Sequence, residues 1–532
     1  IKLGFFFVGI LFIVFKTEAQ DLTLGLLKSD VSLEETYTLF TPEKNTDVYL
    51  VDNCGQKINQ WTFSEKPGAT CYILPNGDLL RAGKDSLEIR DWQNDVLWSY
   101  SMNEHGYQQH HDIEPLPNGN ILCILTDNYT RDEMIEAGRN PAITDDTFKL
   151  DRIIELQPVG VNDANLVWEW KFFDHLIQDF DASKLNYGQV ENHPERIDIN
   201  IPNDNTYDFT HLNAVDYNSN LDQILLSSRN LNEIIIIDHS TTTLEASGHT
   251  GGNSNKGGDL LWRWGNPQFY RQGTADDQKL FFQHDSKWVE TGYLDEGKIS
   301  VFNNGADGTQ TYSSVHLIQP ELSNGEYLMA NNTFFPQEFD WSWNGAFLGI
   351  TVYEPIKSSA QSLPNGNFVI CERSKGQISE INKNGQHLWS YKNPTGTVVY
   401  NQFDEIINLD NALFRGEKYP SNYPGFLGKD LTPIGLIEDQ NSLSESCTDA
   451  LGNDSFVLDT FYFQNPVQDH VLKLNHLEGI QAITISNIMG QQVFESTIPG
   501  KSSIEVFLPT AAVYTVQIST NRGIFTKKII VL

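Results

Sequence analysis

Ile73-Leu74-Pro75-Asn76-Gly77-Asp78-Leu79-Leu80 returns 42 residues later as Pro115-Leu116-Pro117-Asn118-Gly119-Asn120-Ile121-Leu122. A third copy follows at Ser362-Leu363-Pro364-Asn365-Gly366-Asn367-Phe368-Val369, with a looser one at Leu322-Ser323-Asn324-Gly325-Glu326-Tyr327-Leu328. Proline presets the turn, Asn-Gly supplies positive φ and β-formers follow, so each copy predicts a hairpin. A second phrase alternates with it: Leu97-Trp98-Ser99-Tyr100, Val167-Trp168-Glu169-Trp170, Leu261-Trp262-Arg263-Trp264 and Leu388-Trp389-Ser390-Tyr391. Aromatics at alternate positions of a short strand share one face. The first spacing is that of one four-stranded propeller blade. The wider later spacings need insertions, at 241–258 and 334–349, of the kind that gather on one propeller face. The sequence therefore predicts an all-β fold, a β-propeller over 20–437. It has six blades, five and seven being the alternatives, and an array of sandwiches is the competing architecture.

After a polar linker at 438–455 a different unit begins. Short alternating strands around Val471-Leu472-Lys473-Leu474, Ala482-Ile483-Thr484-Ile485 and Val513-Tyr514-Thr515-Val516 predict a small β-sandwich over 456–532. Asn465-Pro466-Val467, Ile488-Met489-Gly490-Gln491, Val513-Tyr514-Thr515-Val516 and Lys527-Lys528-Ile529-Ile530-Val531 resemble, in order, the C-terminal sorting domain of the type IX secretion system. That resemblance implies export across an outer membrane, contact with the secretion machinery and removal of the domain. At the other end, Lys2, the apolar run Leu3 to Phe15 and the small exit residue Ala19 predict a signal peptide over 1–19. The run is short of the roughly 20 residues of a membrane span. The expected address is secreted or cell-surface, after passage through the periplasm.

Thirty-six basic against 70 acidic residues give a net charge of -34. Phosphate neutralisation needs the opposite balance, which argues against nucleic acid. The five cysteines contain no CxxC; Cys54 and Cys71 are a candidate pair, and the odd count leaves a thiol over.

The candidate chemistry sits in His110-His111-Asp112, Thr210-His211-Leu212-Asn213, Ser227-Ser228-Arg229-Asn230 and Gln283-His284-Asp285-Ser286, each beside a β-like apolar run. Blade starts converge on a propeller's central channel, so these remote pieces can meet. Three histidines can hold zinc or copper and hydrolyse esters. Arg229 and Asn213 suit an oxyanion better than a metal, and no G-x-S-x-G elbow supports a serine triad. A neutral imidazole nucleophile suits a transferable sulfuryl or phosphoryl group, because the N-linked adduct stays activated.

From about Tyr49 to Leu436 the chain resembles the bacterial arylsulfate sulfotransferases, six-bladed propellers that move sulfuryl groups between phenols without a nucleotide donor. The resemblance rests on His110-His111-Asp112-Ile113, Phe209-Thr210-His211-Leu212-Asn213, Leu226-Ser227-Ser228-Arg229-Asn230, Gln283-His284-Asp285 and the Leu-Pro-Asn-Gly-Asn copies. It implies ping-pong transfer from an aryl sulfate to a phenolic acceptor through a sulfohistidine, with no cofactor and no metal. Carried over, His284 is the nucleophile, and His211 polarises the ester and exchanges the phenolic proton. Arg229 and His111 hold the sulfuryl oxygens, and Asn213 orients a neighbour. His110 and His111 compete for one position, and the recurrence of His-Asp at His284-Asp285 favours His111. Members with a disulfide near the nucleophile differ from this chain, which has no cysteine near His284. An ordinary histidine nucleophile would give a rate that falls toward acid between about pH 5 and 8. Two other functions fit the same scaffold, a surface-displayed binding propeller and a metal-dependent ester hydrolase. Trp341-Ser342-Trp343 is expected either to shape an acceptor site or to pack a loop.

Overall fold

The computed structural model of the protein describes residues 22–438 except 202–206, 307 and 309. It also describes 467–531 except 468–469, 476, 478–479, 488–490, 498–502 and 521–522. The signal peptide expected at 1–19 lies outside the described residues. So do the linker beyond Glu438, Cys447, and the Asn465-Pro466 and Met489-Gly490 parts of the sorting motif. Two compact units divide between Asn441 and Ser442.

The first unit is a ring of six antiparallel sheets. Blade 1 joins Leu413–Pro420, as its inner strand, to Thr36–Pro42, Asp47–Asp52 and Lys57–Thr62. Blade 2 runs from Pro67–Ile73 through Leu79–Gly83 and Ser86–Arg90 to Val96–Ser101. Blade 3 runs from Gln109–Pro115 through Ile121–Thr130 and Thr147–Val159 to Asp163–Lys171. Blade 4 comprises Leu212–Asn218, Gln223–Ser228, Glu233–Asp238 and Trp262–Trp264. Blade 5 comprises His284–Trp288, Ile299–Asn303, Ser314–Ile318 and Trp341–Trp343. Blade 6 comprises Ser359–Ser362, Phe368–Glu372, Gln377–Ile381 and His387–Lys392, with Gly25–Ser29 added as a fifth, outermost strand. Each inner strand touches the next around the circle, and Leu413–Pro420 closes it against blades 6 and 2. This is a six-bladed β-propeller.

The repeated phrases occupy equivalent places. In blades 2, 3 and 6 the Pro-Asn-Gly turn joins the inner strand to the second, with φ of 86°, 87° and 83° at Gly77, Gly119 and Gly366. The Asn side chain of each turn accepts the N–H two residues on, at 3.0, 2.9 and 3.0 Å, so the turn is fastened identically three times. The looser Leu322–Leu328 copy lacks the proline and forms a separate hairpin, Leu322–Ser323 with Glu326–Tyr327, outside the blades. Trp341-Ser342-Trp343 is the outer strand of blade 5, paired with Val315 to Leu317, and not an insertion that shapes an acceptor site.

The aromatic phrases are the outer strands, and their indoles link the blades. Trp61 donates to the Asp91 carbonyl at 2.8 Å, Trp98 to Asp163 at 2.9 Å and Trp168 to the Thr241 hydroxyl at 3.2 Å. Trp262 donates to the Phe335 carbonyl at 2.9 Å, Trp341 to Lys383 at 3.1 Å and Trp389 to Asn53 at 2.8 Å. Every blade thus binds its successor, blade 6 to blade 1 included, and each ring packs as core while its N–H is satisfied.

The expected Cys54–Cys71 bridge does not form. Cys71 is a free thiol turned into the core between blades 1 and 2, whereas Cys54 is disulfide-bonded elsewhere. The second unit is the expected small sandwich. A sheet ordered Gln492–Thr497, Ile480–Asn487, Val513–Thr520, Gly523–Ile530 shares one core with the pair Val471–Asn475 and Ser503–Phe507.

Candidate functional site

Three inner strands begin with a break in register, and each break contains or directly follows one of the motif segments. The ladder shifts between Cys123 and Leu125 opposite His110–Asp112, at Leu212–Ala214 and between His284 and Lys287. An extra residue in one strand re-aims the neighbouring side chains. His111, His211 and Asp285 have φ of 58°, 47° and 54°, a left-handed backbone that non-glycine residues seldom adopt. Strain of this kind concentrates at functional sites.

The breaks bring the three segments to one mouth of the channel. The His111 ring lies 4.8 Å from His211 and 5.1 Å from His110, and 5.9 Å from Phe414 of the closing strand. A cavity of about 170 Å³ there is lined by Glu43, His110, His111, Lys357, Phe414 and the Pro67-Gly68 backbone. His110 is engaged at both nitrogens, Nε2 with Asp151 at 3.0 Å and Nδ1 with His111 Nδ1 at 2.8 Å. His211 donates from Nδ1 to Asp208 at 2.6 Å. Burial works to raise the Asp208 pKa, but the hydrogen bond and charge of His211 outweigh it, and the carboxyl lies below its ordinary value. The Arg229 guanidinium stacks on Phe282 at 4.4 Å and bonds Asn230 at 2.7 Å. Among the described residues it has no ion-pair partner, which leaves its charge for an anion.

His284 is almost wholly buried, at 2 % exposure. Its Nδ1 is 2.8 Å from Asn304 Oδ1 and 3.0 Å from the Phe282 carbonyl. The Asn304 amide nitrogen is committed to the Glu354 and Lys357 carbonyls, at 2.7 and 2.9 Å, so its oxygen must face the imidazole. Both neighbours of Nδ1 therefore only accept, the proton sits on Nδ1, and Nε2 carries the lone pair. Nε2 accepts from the backbone N–H of Lys357 at 3.2 Å. Lys357 and Ser358 are themselves left-handed, at φ 59° and 75°. Burial, with Arg229 and His211 adding repulsion, lowers the His284 pKa to about 3 against the hydrogen bonds that favour protonation. Burial and the charges of His110, His211 and His284 push His111 far below its ordinary value.

Beneath the histidines lies a charged layer that the sequence did not announce. Arg415, on the closing strand, is paired with Asp112 and Asp285, each at 2.9 Å. These are the two aspartates that follow His111 and His284. Asn213 lies in this layer, fully buried, and not against the cavity: its amide donates to the Gln283 carbonyl at 2.7 Å and so steadies the residue before His284. Deeper in the channel Lys287 pairs with Glu114 at 2.9 Å, and burial pushes Asp216 and Glu417 up to about 7 each. Around the cavity Glu43 bridges Lys357 and Arg373, at 2.9 and 2.8 Å. Asn304, Lys357 and Arg415 belong to none of the motifs, and only their positions in space reveal them.

The family model for arylsulfotransferases (ASST) matches residues 27–405, and that for the secretion system C-terminal sorting domain matches 462–532. None of the curated proteins matches at a significant level. Among solved structures, the chain is similar to a protein of unknown function from Bacteroides caccae, with 11% identity and a TM-score of 0.38, covering 72% of this chain and 98% of the other. A streptogramin B lyase has 11% identity and a TM-score of 0.34, with 74% and 97% covered. The Cps50 (Swd1) β-propeller domain of Myceliophteria thermophila has 8% identity and a TM-score of 0.34, with 69% and 90% covered. Among the described residues no helix is long and apolar enough to cross a membrane. The sorting domain marks the protein for export, to the cell surface or the medium. The chain, matched over residues 27–405 and so through all the motif histidines, belongs to the arylsulfotransferase family.

Proposed function

We propose that the protein transfers a sulfuryl group from an aryl sulfate to a phenolic acceptor in two steps, through a sulfohistidine on His284. The observation that carries this reading is the fixed tautomer of His284: Nδ1 donates to two acceptors, and Nε2 keeps the lone pair, turned to the N–H of the cavity-lining Lys357. In the first step Nε2 attacks sulfur, the S–O(aryl) bond breaks, and the departing phenolate takes a proton from His211. In the second step His211 removes the acceptor's proton, the new phenolate attacks sulfur, and the N–S bond breaks to restore neutral His284. Arg229 compensates the sulfuryl charge, helped by the Lys357 N–H, which already faces Nε2.

His111 has a narrower part. It can donate from Nε2 to a sulfuryl oxygen only if its Nδ1 accepts from His110. His110 must then carry protons on both nitrogens, with Asp151 as its counter-ion. His110 is therefore a positioning residue behind His111, and Asn213 one behind His284. On this reading residues 1–19 direct export, 20–437 hold the enzyme and 456–532 carry the sorting signal.

Two measurements test the proposal. Initial rates at several acceptor concentrations should give parallel double-reciprocal lines and persist in EDTA. Acceptor-independent release of phenol that EDTA abolishes would show a metal-dependent hydrolase, and no release from any aryl ester would leave a binding propeller. The pH profile is the second. Because the His284 pKa is lowered to about 3, its neutral form persists well below neutrality, and the acid limb expected for an ordinary histidine moves down with it. Single-turnover formation of the adduct should show no His284 limb between about pH 5 and 8, the range in which an ordinary histidine titrates. A limb near pH 6.5 that moves when Asn304 is replaced by Asp would place the titration on an exposed His284 and contradict the geometry.

A further inference from the structure

We propose that His175, His249 and Asp259 form a binding site for a divalent transition metal of zinc's borderline character, on the outer rim between blades 3 and 4. His175 ends the 3₁₀ turn Phe172–His175 that follows the outer strand of blade 3. His249 belongs to the 241–258 insertion, and Asp259 follows it, just before the outer strand of blade 4. None of the three takes part in the sulfuryl chemistry.

The three ligand atoms converge around the buried His175 ring. Its Nε2 lies 2.9 Å from the Ala246 carbonyl, which can only accept, so Nε2 carries the hydrogen. Its Nδ1 is 2.9 Å from Asp259 Oδ1. Nδ1 therefore meets the carboxylate either across a second ring proton or across a shared metal ion. His249 Nδ1 reaches the same oxygen at 2.8 Å, and all three ligand atoms fall within 4.8 Å of one another. Protons on both His175 nitrogens and on His249 Nδ1 would satisfy the same contacts, so the proton is the metal's competitor at this site.

The surroundings fit an ion. Ligands about 2.0–2.1 Å from a tetrahedral metal are spaced by about 3.3 Å, so the cluster must open by a few tenths of an ångström. His249, 44% exposed in its side chain, has room to move that far. The His175 Nε2–H bond to a carbonyl is the outer bond that metal-bound imidazoles usually make. Trp170 stacks on His175 at 5.4 Å and donates to the Gly258 carbonyl at 2.7 Å, which fixes the ring plane. Arg196 is 3.8 Å from the other Asp259 oxygen and holds it away from the cluster. Two imidazoles and one carboxylate select zinc-like ions over calcium or magnesium, which prefer oxygen shells. The ion would pin the insertion to blade 3 and leave a coordination position for water.

Metal-free full-length protein titrated with cobalt(II) should take up one equivalent with visible absorption of low-symmetry coordination, and zinc should displace it. Zinc should raise the unfolding temperature of the parent protein and leave that of His249→Ala unchanged. His249→Ala should weaken cobalt binding by at least the roughly 100-fold that even an outer-shell change can cost. Aryl sulfate turnover should be the same in parent and variant. Absence of a stoichiometric cobalt spectrum overturns the proposal, and so does binding that His249→Ala leaves intact.

Discussion

The His284→Ala protein is expected to turn over aryl sulfates at least about 10⁴-fold more slowly than the parent, because no other group takes over a missing covalent nucleophile. The histidines that remain are differently committed. His110 is bound at both nitrogens, and His211 is held by Asp208. Donor binding should survive, since Arg229 and the Lys357 N–H are untouched, so the loss falls on turnover. Labelled sulfur from an aryl sulfate should stay on the parent protein when acceptor is withheld, in an acid-labile, base-stable linkage, and should not stay on the variant. Turnover within about tenfold of the parent, or undiminished labelling of the variant, would remove His284 from the chemistry.

Arg415→Met is expected to cost about 3–5 kcal/mol of stability, the usual penalty when one partner of a buried ion pair is removed. Arg415 is 4% exposed in its side chain and is the shared counter-ion of Asp112 and Asp285, themselves 0% and 2% exposed. Lysine should restore little, since one ammonium cannot span two carboxylates as a guanidinium does. Urea unfolding of the propeller measures the effect. A change below about 1 kcal/mol would mean that the aspartates are protonated or rehydrated in the variant. Activity should fall with stability, because the two aspartates directly follow His111 and His284.

The fold was legible in the sequence where local chemistry dictates it. Pro-Asn-Gly requires one kind of turn wherever it stands, and a Trp at alternate positions reports a half-buried strand. Blade 5 hid because its outer strand, Trp341–Trp343, follows a long excursion. Within the site, His111, His211, Arg229 and His284 could be read because each lies in a polar interruption of an apolar run. What placed them was not readable. A register break needs the partner strand, and Asn304 acts on His284 from 20 residues away through one amide whose orientation two remote carbonyls decide. The pH limb expected for an ordinary histidine moves for a related reason. Burial sets the His284 pKa, and no local pattern around Gln283-His284-Asp285 encodes how deep the ring will lie.

The closing strand Leu413–Pro420 also dictates when the protein can become active. Phe414 and Arg415 arrive some 130 residues after His284 and 300 after His111 in the order of synthesis and export. Until they dock, Asp112 and Asp285 have no counter-ion and the mouth of the channel lacks a wall. In a chain made from its N-terminus the site is therefore the last part to be completed, when the final inner strand is sewn to the first blade.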